Sequence, residues 1–431
     1  MNDGLPLVIA GASYAGLQLA ASARESGYAG RIVMVGDESQ LPYQRPPLSK
    51  GLLTGKTTVE KLPLRSEAFY RENNIEVLLN QRVARIEPHA RRVQLADGRA
   101  LEYSWLALAT GARCRALDVP GAGLEGVHML RTLDDGLRLA EQARRVQTAC
   151  VIGGGFIGLE VASALRGSGI QVTLVEACPR LLARNVSPLM SDYVLQAHRA
   201  RGVRIELGRG VRALQGSNGR IAAVELADGT RVECELVVVG IGVLPNAELA
   251  AAAGIAVDNG ILVDAFGRTS MERILAAGDV ANMQLPSWGP EGAGGRYRLE
   301  SVQAANDMAK ACASLVAGQP KACAAVPWFW SDQFDLKFQM AGLPHPTDEI
   351  VLRGSMDRNR FSLFYLRGGH VAAVHTVNRP ADHMLGRRLI ASNARLLPQQ
   401  AADEEFDLKS ILPAPGSATG AAVRPNASPI A

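Results

Sequence analysis

Three glycines, Gly153, Gly155 and Gly158, stand at G-x-G-x-x-G spacing, and a carboxylate, Glu176, follows 23 positions beyond the first of them. Residues of these types at this spacing suit the binding of a dinucleotide. The first glycine permits a tight turn, the second lets the backbone approach a pyrophosphate, and the third lets the following helix pack closely on its strand. A carboxylate at that distance can accept from an adenine-ribose 2′-hydroxyl. A second set lies at the amino terminus, with Gly11, Ser13 and Gly16 followed by Asp37. Ser13 in the middle place crowds the phosphate approach but brings a hydroxyl that could donate to it. Two sets imply two dinucleotides. That combination is the chemistry of hydride transfer between a nicotinamide and a flavin.

The elements that must position these residues are legible around both loops. Residues 150–152 form an apolar run that reads as a buried strand, and Ile157, Val161, Ala164 and Leu165 recur at helical spacing. Residues 171–175 give a second strand, closed by Glu176. The helix start supplies unpaired N–H groups and a positive dipole end for the pyrophosphate, with Phe156 and Ile157 beside it. In the first copy, residues 5–10 lead through the loop into Tyr14 and Ala15, a helix to about Ala23, a strand over 31–35, and Asp37, with Glu38 beside it read as solvated. The segment 83–112, which begins at Val83, parallels 211–242. Each is a strand–turn–strand run that ends in a buried strand and a glycine. The first run closes with Ala109, Thr110 and Gly111, the second with Gly240, Ile241 and Gly242. The expected fold class is α/β, with two Rossmann-like domains that bind FAD and NAD(P).

At 431 residues and 47 % hydrophobic, the chain can bury a large core and divide into about three domains. A net charge of +4 argues for neither nucleic acid nor a membrane surface as partner. Glycine and charge interrupt every apolar run well short of the ~18 residues a membrane helix needs. The opening M-N-D-G-L-P-L-V-I-A-G has no basic region ahead of its apolar run and reads as a first strand, not a signal peptide. Six cysteines never approach C-x-x-C spacing, which supports neither a metal site nor a secreted disulphide framework. A reduced cytoplasm is the expected compartment.

Residues 36–50 read G-D-E-S-Q-L-P-Y-Q-R-P-P-L-S-K. Adjacent prolines fix an extended path, after which Leu48-Ser49-Lys50 can open a helix. One reading is a stiff surface loop; the other sets Arg45 and Lys50 against an anionic cofactor. With A-T-G at 109–111, L-R-T-L-D-D at 130–135, A-A-G-D-V-A at 276–281, L-E-S-V-Q at 299–303 and P-W-F-W-S-D-Q at 327–333, the chain resembles the FAD-dependent, NADH-linked ferredoxin reductases of oxygenase systems. The resemblance spans roughly residues 5 to 412. It implies the pyridine nucleotide-disulphide oxidoreductase architecture with an added α+β carboxy-terminal domain.

The same resemblance assigns roles. Arg131 becomes a flavin contact, or else a surface partner of Asp134 or Asp135. Asp279, after Gly278, meets the ribityl chain, or caps an alanine-rich helix. Glu300, Ser301 and Val302 touch the flavin, and Trp330 lies near its ring, with core packing the default for the other aromatics of W-F-W. Glu160, read as lying on the first turn of its helix, faces the nicotinamide and pairs with Lys50, or serves only the helix dipole. From charge and not from the resemblance, Arg180 and Arg184 beyond Glu176 are expected to meet pyrophosphate, adenine or only solvent. Strands over 361–366 and 371–377 and a helix around 387–392 fill the last domain.

Domains are expected at 1–114 with 246–326 for FAD, 115–245 for NADH and 327–412 at the carboxy terminus, followed by a disordered tail, 413–431. Disulphide reductases of this architecture carry a cysteine pair after the first unit, and related peroxidases carry one; here the first cysteine is Cys114. Electrons must then leave the flavin directly, to a 2Fe-2S ferredoxin that serves an oxygenase. Arg296, Arg298 and Lys337 would steer that acidic partner, and the glycine-rich loop 284–298 could alter its docking. Two alternatives share the core: an NADH oxidase or peroxidase, and a redox-regulated flavoprotein like the apoptosis-inducing factors. NADH should outperform NADPH, because Glu176 would face a 2′-phosphate as an uncompensated like charge. Comparing kcat/KM for the two cofactors checks this, and Glu176→Gln should narrow the gap; equal values in the wild type would remove Glu176 from the ribose site.

Overall fold

In the computed structural model, which describes residues 4–285 and 295–413, two five-stranded parallel sheets match in topology over four strands and differ in where the chain supplies the fifth. The first runs Ile274–Ala276, Trp105–Leu108, Leu7–Ala10, Ile32–Val35, Ile75–Leu78. The second runs Arg204–Leu207, Gln171–Glu176, Thr148–Ile152, Leu236–Val239, Val127–His128. The central strands are short and apolar, as strands buried on both faces must be; in the second sheet helices cover one face and an antiparallel meander the other. Each sheet carries a three-stranded antiparallel meander, Val83–Glu87 to Ala100–Glu102 in one and Val211–Ser217 to Arg231–Glu233 in the other.

The repeat extends to single hydrogen bonds. Gly11 N donates to Val35 O and Gly153 N to Val175 O, each at 2.8 Å. Each loop opens a helix, Tyr14–Glu25 after Ser13 and Phe156–Gly167 after Gly155. Two antiparallel strands, Ala112–Cys114 and Val243–Pro245, carry the chain from the first sheet region to the second and back. The bonds Asn246 N to Gly111 O (2.9 Å) and Asn246 Nδ2 to Thr110 O (2.8 Å) hold this crossing to the A-T-G turn. The helix Val302–Val316 then packs beside Tyr14–Glu25 on the first sheet, with Ser301 at its N-cap accepting from Ala304 N.

The third region is an antiparallel sheet ordered Trp328–Gln333, Leu336–Gly342, His370–Val377, Arg360–Arg367, Glu349–Ser355. One face, with Phe361, Leu363 and Tyr365, joins the core of the second parallel sheet. The opposite face, with Phe364 and Leu366, packs with Leu389 and Ile390 of the helix Pro380–Ala391. Strict alternation along Arg360–Arg367 serves both layers.

Several local expectations are corrected. Leu48-Ser49-Lys50 does not open a helix: Pro46 and Pro47 start a 3₁₀ turn, Pro46–Ser49, that Lys50 ends. Asp279 caps no helix, because the strand Ala281–Gln284 follows it, paired with Arg296–Tyr297. The last-domain helix begins at Pro380, where a proline costs no hydrogen bond, well before residue 387. Glu160 is the fifth residue of its helix, past the first turn, so the dipole reading loses its basis. Glu38 is not simply solvated; it accepts from Tyr43 Oη and pairs with Arg45, both at 2.5 Å. Residues 286–294 of the glycine-rich loop and 414–431 of the tail lie outside the described residues.

Three buried histidines make the fold pH-sensitive, one of them His383, which burial pushes down to about 4. His198 and His375 lie in the core, and burial pushes them down to about 4 and about 3. His198 Nε2 lies 2.8 Å from Gln333 Oε1 while its Nδ1 has no partner, an arrangement that holds the neutral ring. A depressed histidine contributes stability that is complete above about 6.5 and is lost as pH falls through the folded value. Denaturant unfolding should therefore show stability falling between about pH 6.5 and 4, by on the order of 3 kcal/mol for His198 once fully protonated. His198→Gln should flatten that slope; an unchanged slope would assign the acid sensitivity to other groups.

Candidate functional site

The glycines of the two loops have separable reasons for being glycine. Gly11 and Gly153 have φ of +123° and +110°, and a Cβ there would lie 2.1 Å from Ala109 O and 2.4 Å from Gly240 O. A Cβ on Gly16 or Gly158 would meet its own loop's first glycine carbonyl at 2.0 Å, so both serve helix-on-strand packing. Gly155 differs. A Cβ there meets no atom within 4 Å, so the fold itself does not require a glycine at this place. Open space at the loop summit, beside a helix N-terminus, fits an approaching phosphate.

Beside the first loop opens a cavity of about 960 Å³, large enough for an extended dinucleotide. Its walls include Gly11, Ser13, Tyr14, Ala15 and Asp37, then Arg45 and Lys50 from the proline-rich segment. Ala109, Thr110 and Gly111, then Arg131, Gly278 and Asp279, and finally Glu300, Ser301 and Val302 continue it. Ile157 and Glu160 reach it from the second parallel sheet's helix, and Trp330 from the third sheet. All three regions thus meet at one opening. Gly16 and Val83 do not line it, being packed inside the first core. Gly153, Gly155, Phe156, Gly158, Glu176, Arg184, Gly240, Ile241 and Gly242 also lie off its wall, around the second loop.

Charges along the wall are arranged in pairs. Arg45 pairs with Glu38 and also bonds Ser13 Oγ (3.2 Å) and Arg131 O (2.7 Å). Burial works to lower its pKa, but Tyr43 and Glu38 outweigh this, so it remains cationic. The guanidinium of Arg131 meets Asp279 at 3.0 Å, whereas Asp135 caps its own helix through Thr132 and pairs with Arg138. Burial pushes Tyr14 up to about 12, which keeps its phenol protonated.

Lys50 carries the densest contacts. Its Nζ lies 3.1 Å from Glu160 Oε1 and 3.2 Å from Asp332 Oδ2. Glu160 is only 5 % exposed, and Ser49 Oγ and Ser331 Oγ each donate to it at 2.6 Å. Burial raises its pKa, opposed by Lys50 and the two serines. Gln333 Nε2 donates to Ser331 Oγ at 3.2 Å and its Oε1 accepts from His198, so a buried chain of donors points at Glu160. Sequence reasoning missed Ser49, Ser331, Asp332 and Gln333. Their signal was alternation in W-F-W-S-D-Q, which aims Ser331 and Gln333 inward and Trp330 and Asp332 to the other face. Phe329 also lines the cavity, its ring edge-on to Phe156 with centroids 4.5 Å apart.

At the second loop, Glu176 accepts from Gly154 N (2.6 Å) and Cys178 N (2.7 Å), so the carboxylate stands against the loop it was expected to accompany. Arg180 bonds the carbonyls of Ala183 and Val186, which leaves Arg184 as the exposed arginine beside Gly242. Of the proposed steering residues, Arg298 is paired with Glu300 (2.7 Å) and Arg296 bonds the carbonyls of Val263 and Asn282, whereas Lys337 is exposed. Among the described residues no group of three or more histidine, cysteine or acidic side chains could hold a metal ion, and no helix is long and apolar enough to cross a membrane.

Two five-stranded parallel sheets with glycine loops and one shared cavity define a two-dinucleotide oxidoreductase. The chain belongs to the pyridine nucleotide-disulphide oxidoreductase family, whose description matches residues 5–309, and a reductase C-terminal domain matches 328–412. Enzymes of this family use FAD and NAD(H). It is 46 % identical over 405 residues to rhodocoxin reductase of Rhodococcus erythropolis, covering 94 % of each chain. Among solved structures it resembles a ferredoxin reductase from Rhodopseudomonas palustris at 42 % identity and a TM-score of 0.91, covering 95 % of this chain and 100 % of that one. It also resembles the reductase in a covalent putidaredoxin reductase–putidaredoxin complex at 39 % identity and a TM-score of 0.89, covering 94 % and 97 %.

The glycine geometry yields a paired test. Gly153→Ala should lower the thermal midpoint, because both its φ and its Cβ contact are forbidden. Gly155→Ala should leave the midpoint near wild type yet raise KM for NADH. Equal thermal losses would mean that Gly155 serves the fold and not a ligand.

Proposed function

We propose that this protein is the NADH-dependent, FAD-carrying reductase that supplies electrons to a 2Fe-2S ferredoxin of a mono- or dioxygenase system. The observation that carries the reading is the chemistry of the cavity wall. All six cysteines are free, and Cys114, the one on that wall, has a thiol donating to Leu130 O and a pKa raised by burial. No thiol pair stands ready to relay electrons, which supports discharge from the flavin to an external one-electron carrier. The named relatives, rhodocoxin reductase and the reductase crystallised with putidaredoxin, support the same class of partner.

Bound FAD supplies the conversion between hydride transfer from NADH and single-electron transfer to the carrier. The residues of this chain bind and orient. We place FAD on residues 1–114 and 246–326, with Asp37 at the ribose, the loop Gly11–Gly16 and Arg45 at the pyrophosphate, and Arg131, Asp279 and Ser301 along the rest. NADH falls to residues 115–245, with Glu176 at its adenine ribose and Ile157, 49 % exposed at the helix start, against the nicotinamide. Lys50 holds its ammonium toward the ring, and Glu160 orients Lys50. Trp330 and Phe329 from residues 327–412 close the far side and exclude water. Reduced thiols throughout fit the cytoplasm.

NADH-dependent reduction of a cognate 2Fe-2S ferredoxin should greatly exceed oxygen consumption, and its second-order rate should fall as rising salt shortens the Debye length below ~10 Å. A salt-independent rate would remove the steering role of Arg296 and Lys337 but keep the reductase. Brisk peroxide formation with no ferredoxin reduction would move the assignment to an oxidase.

A further inference from the structure

Lys50 does not meet one carboxylate but two, and they differ in kind. Glu160 is buried and accepts from two serine hydroxyls in addition to its pairing with Lys50. Asp332 is 45 % exposed, lies off the cavity wall, and among the described residues has Lys50 as its only side-chain partner. An ion pair this exposed contributes at most about 1 kcal/mol to stability, so the fold gives Asp332 little reason to be acidic. Its effect is on charge. One ammonium between two carboxylates leaves the trio at −1, so less positive field reaches the cavity than Lys50 alone would project. Asp332 also shares its strand and its face with Trp330, two positions earlier, which lines the cavity.

We propose that Asp332 is a positioning residue for Lys50, through which the third sheet sets how strongly the Lys50 ammonium acts on the bound flavin. This rests on the reading of Lys50 as facing the flavin ring. Asp332 draws the ammonium toward the strand that carries Trp330 and offsets part of its charge. Glu160, held by Ser49 and by Ser331 of that same strand, is the second partner of the ammonium. The third sheet thereby meets the Lys50 ammonium directly through Asp332 and at one remove through Ser331 on Glu160, while of its residues only the aromatics line the cavity.

The test is an anaerobic reductive titration of the flavin in the full-length holoprotein, with flavin content and thermal midpoint measured on the same samples. Lys50→Met should move the midpoint potential in the negative direction, since it removes a cation near the ring. Asp332→Asn should move it in the positive direction, with flavin content and thermal midpoint close to wild type, and Asp332→Glu should stay near wild type. In the Lys50→Met background, Asp332→Asn should produce little further shift. A normal potential in Asp332→Asn, when Lys50→Met has shifted it, overturns the role of Asp332 alone. The same positive shift in both backgrounds overturns action through Lys50. A potential unmoved by Lys50→Met overturns the flavin-facing reading and this proposal with it.

Discussion

A carboxylate buried where three regions of the chain converge is the constraint on which the site's geometry depends. Glu160 sits on a helix of the second parallel sheet, yet its partners come from elsewhere: Ser49 and Lys50 from the turn after the first sheet's second strand, Ser331 from the third sheet. Burying a carboxylate costs several kcal/mol unless donors compensate. Hydrogen bonds to a charged group recover about 1.5–3 kcal/mol each, so all three partners must be in place for the burial to be tolerable. The requirement runs both ways. The arrangement that satisfies Glu160 brings the three regions together, and in it Lys50 and Trp330 both arrive at the cavity.

Around that point the molecule uses one solution twice. Strand orders that match over four strands, matching meanders and equivalent glycine-to-strand hydrogen bonds give two dinucleotide-binding frames. They differ where function would have them differ. The first loop has Ser13 at its summit, bonded by Arg45, and opens on the deep cavity. The second has Gly155 facing open space, and its carboxylate, Glu176, is already bonded to the loop backbone. A cofactor that stays bound suits the first arrangement, and one that enters and leaves suits the second.

The third sheet explains why the cluster W-F-W-S-D-Q resists assignment from composition. Edge position and alternation make both faces of this strand useful at once. Phe329 and Trp330 line the cavity, Trp328 lies against Trp330 and under Arg387, Ser331 reaches the buried carboxylate with Gln333 behind it, and Asp332 reaches Lys50. Core packing, the default for two of the three aromatics, describes Trp328 and Phe329, but Phe329 lines the cavity as well, so packing surface and cavity wall overlap there.

What the sequence alone determined is everything set by local periodicity and local backbone demand. The two glycine loops, their strands and helices, and the acids that close them follow from spacing, because a β–turn–α–β unit dictates its residues within about 30 positions. The repeat, the place of Ser13 and Asp37 in loops and that of Glu176 at a strand end follow in the same way. Tertiary structure alone decided which side chains touch across 86 to 282 positions: Arg45 on Arg131 O, Ser49 on Glu160, Lys50 on Asp332. It also decided the negative points, that Asp279 caps no helix and that Glu160 lies beyond the dipole's reach. Such contacts are set by how separate sheets pack, and packing answers to summed burial over many residues, which leaves no mark at any one position in the chain.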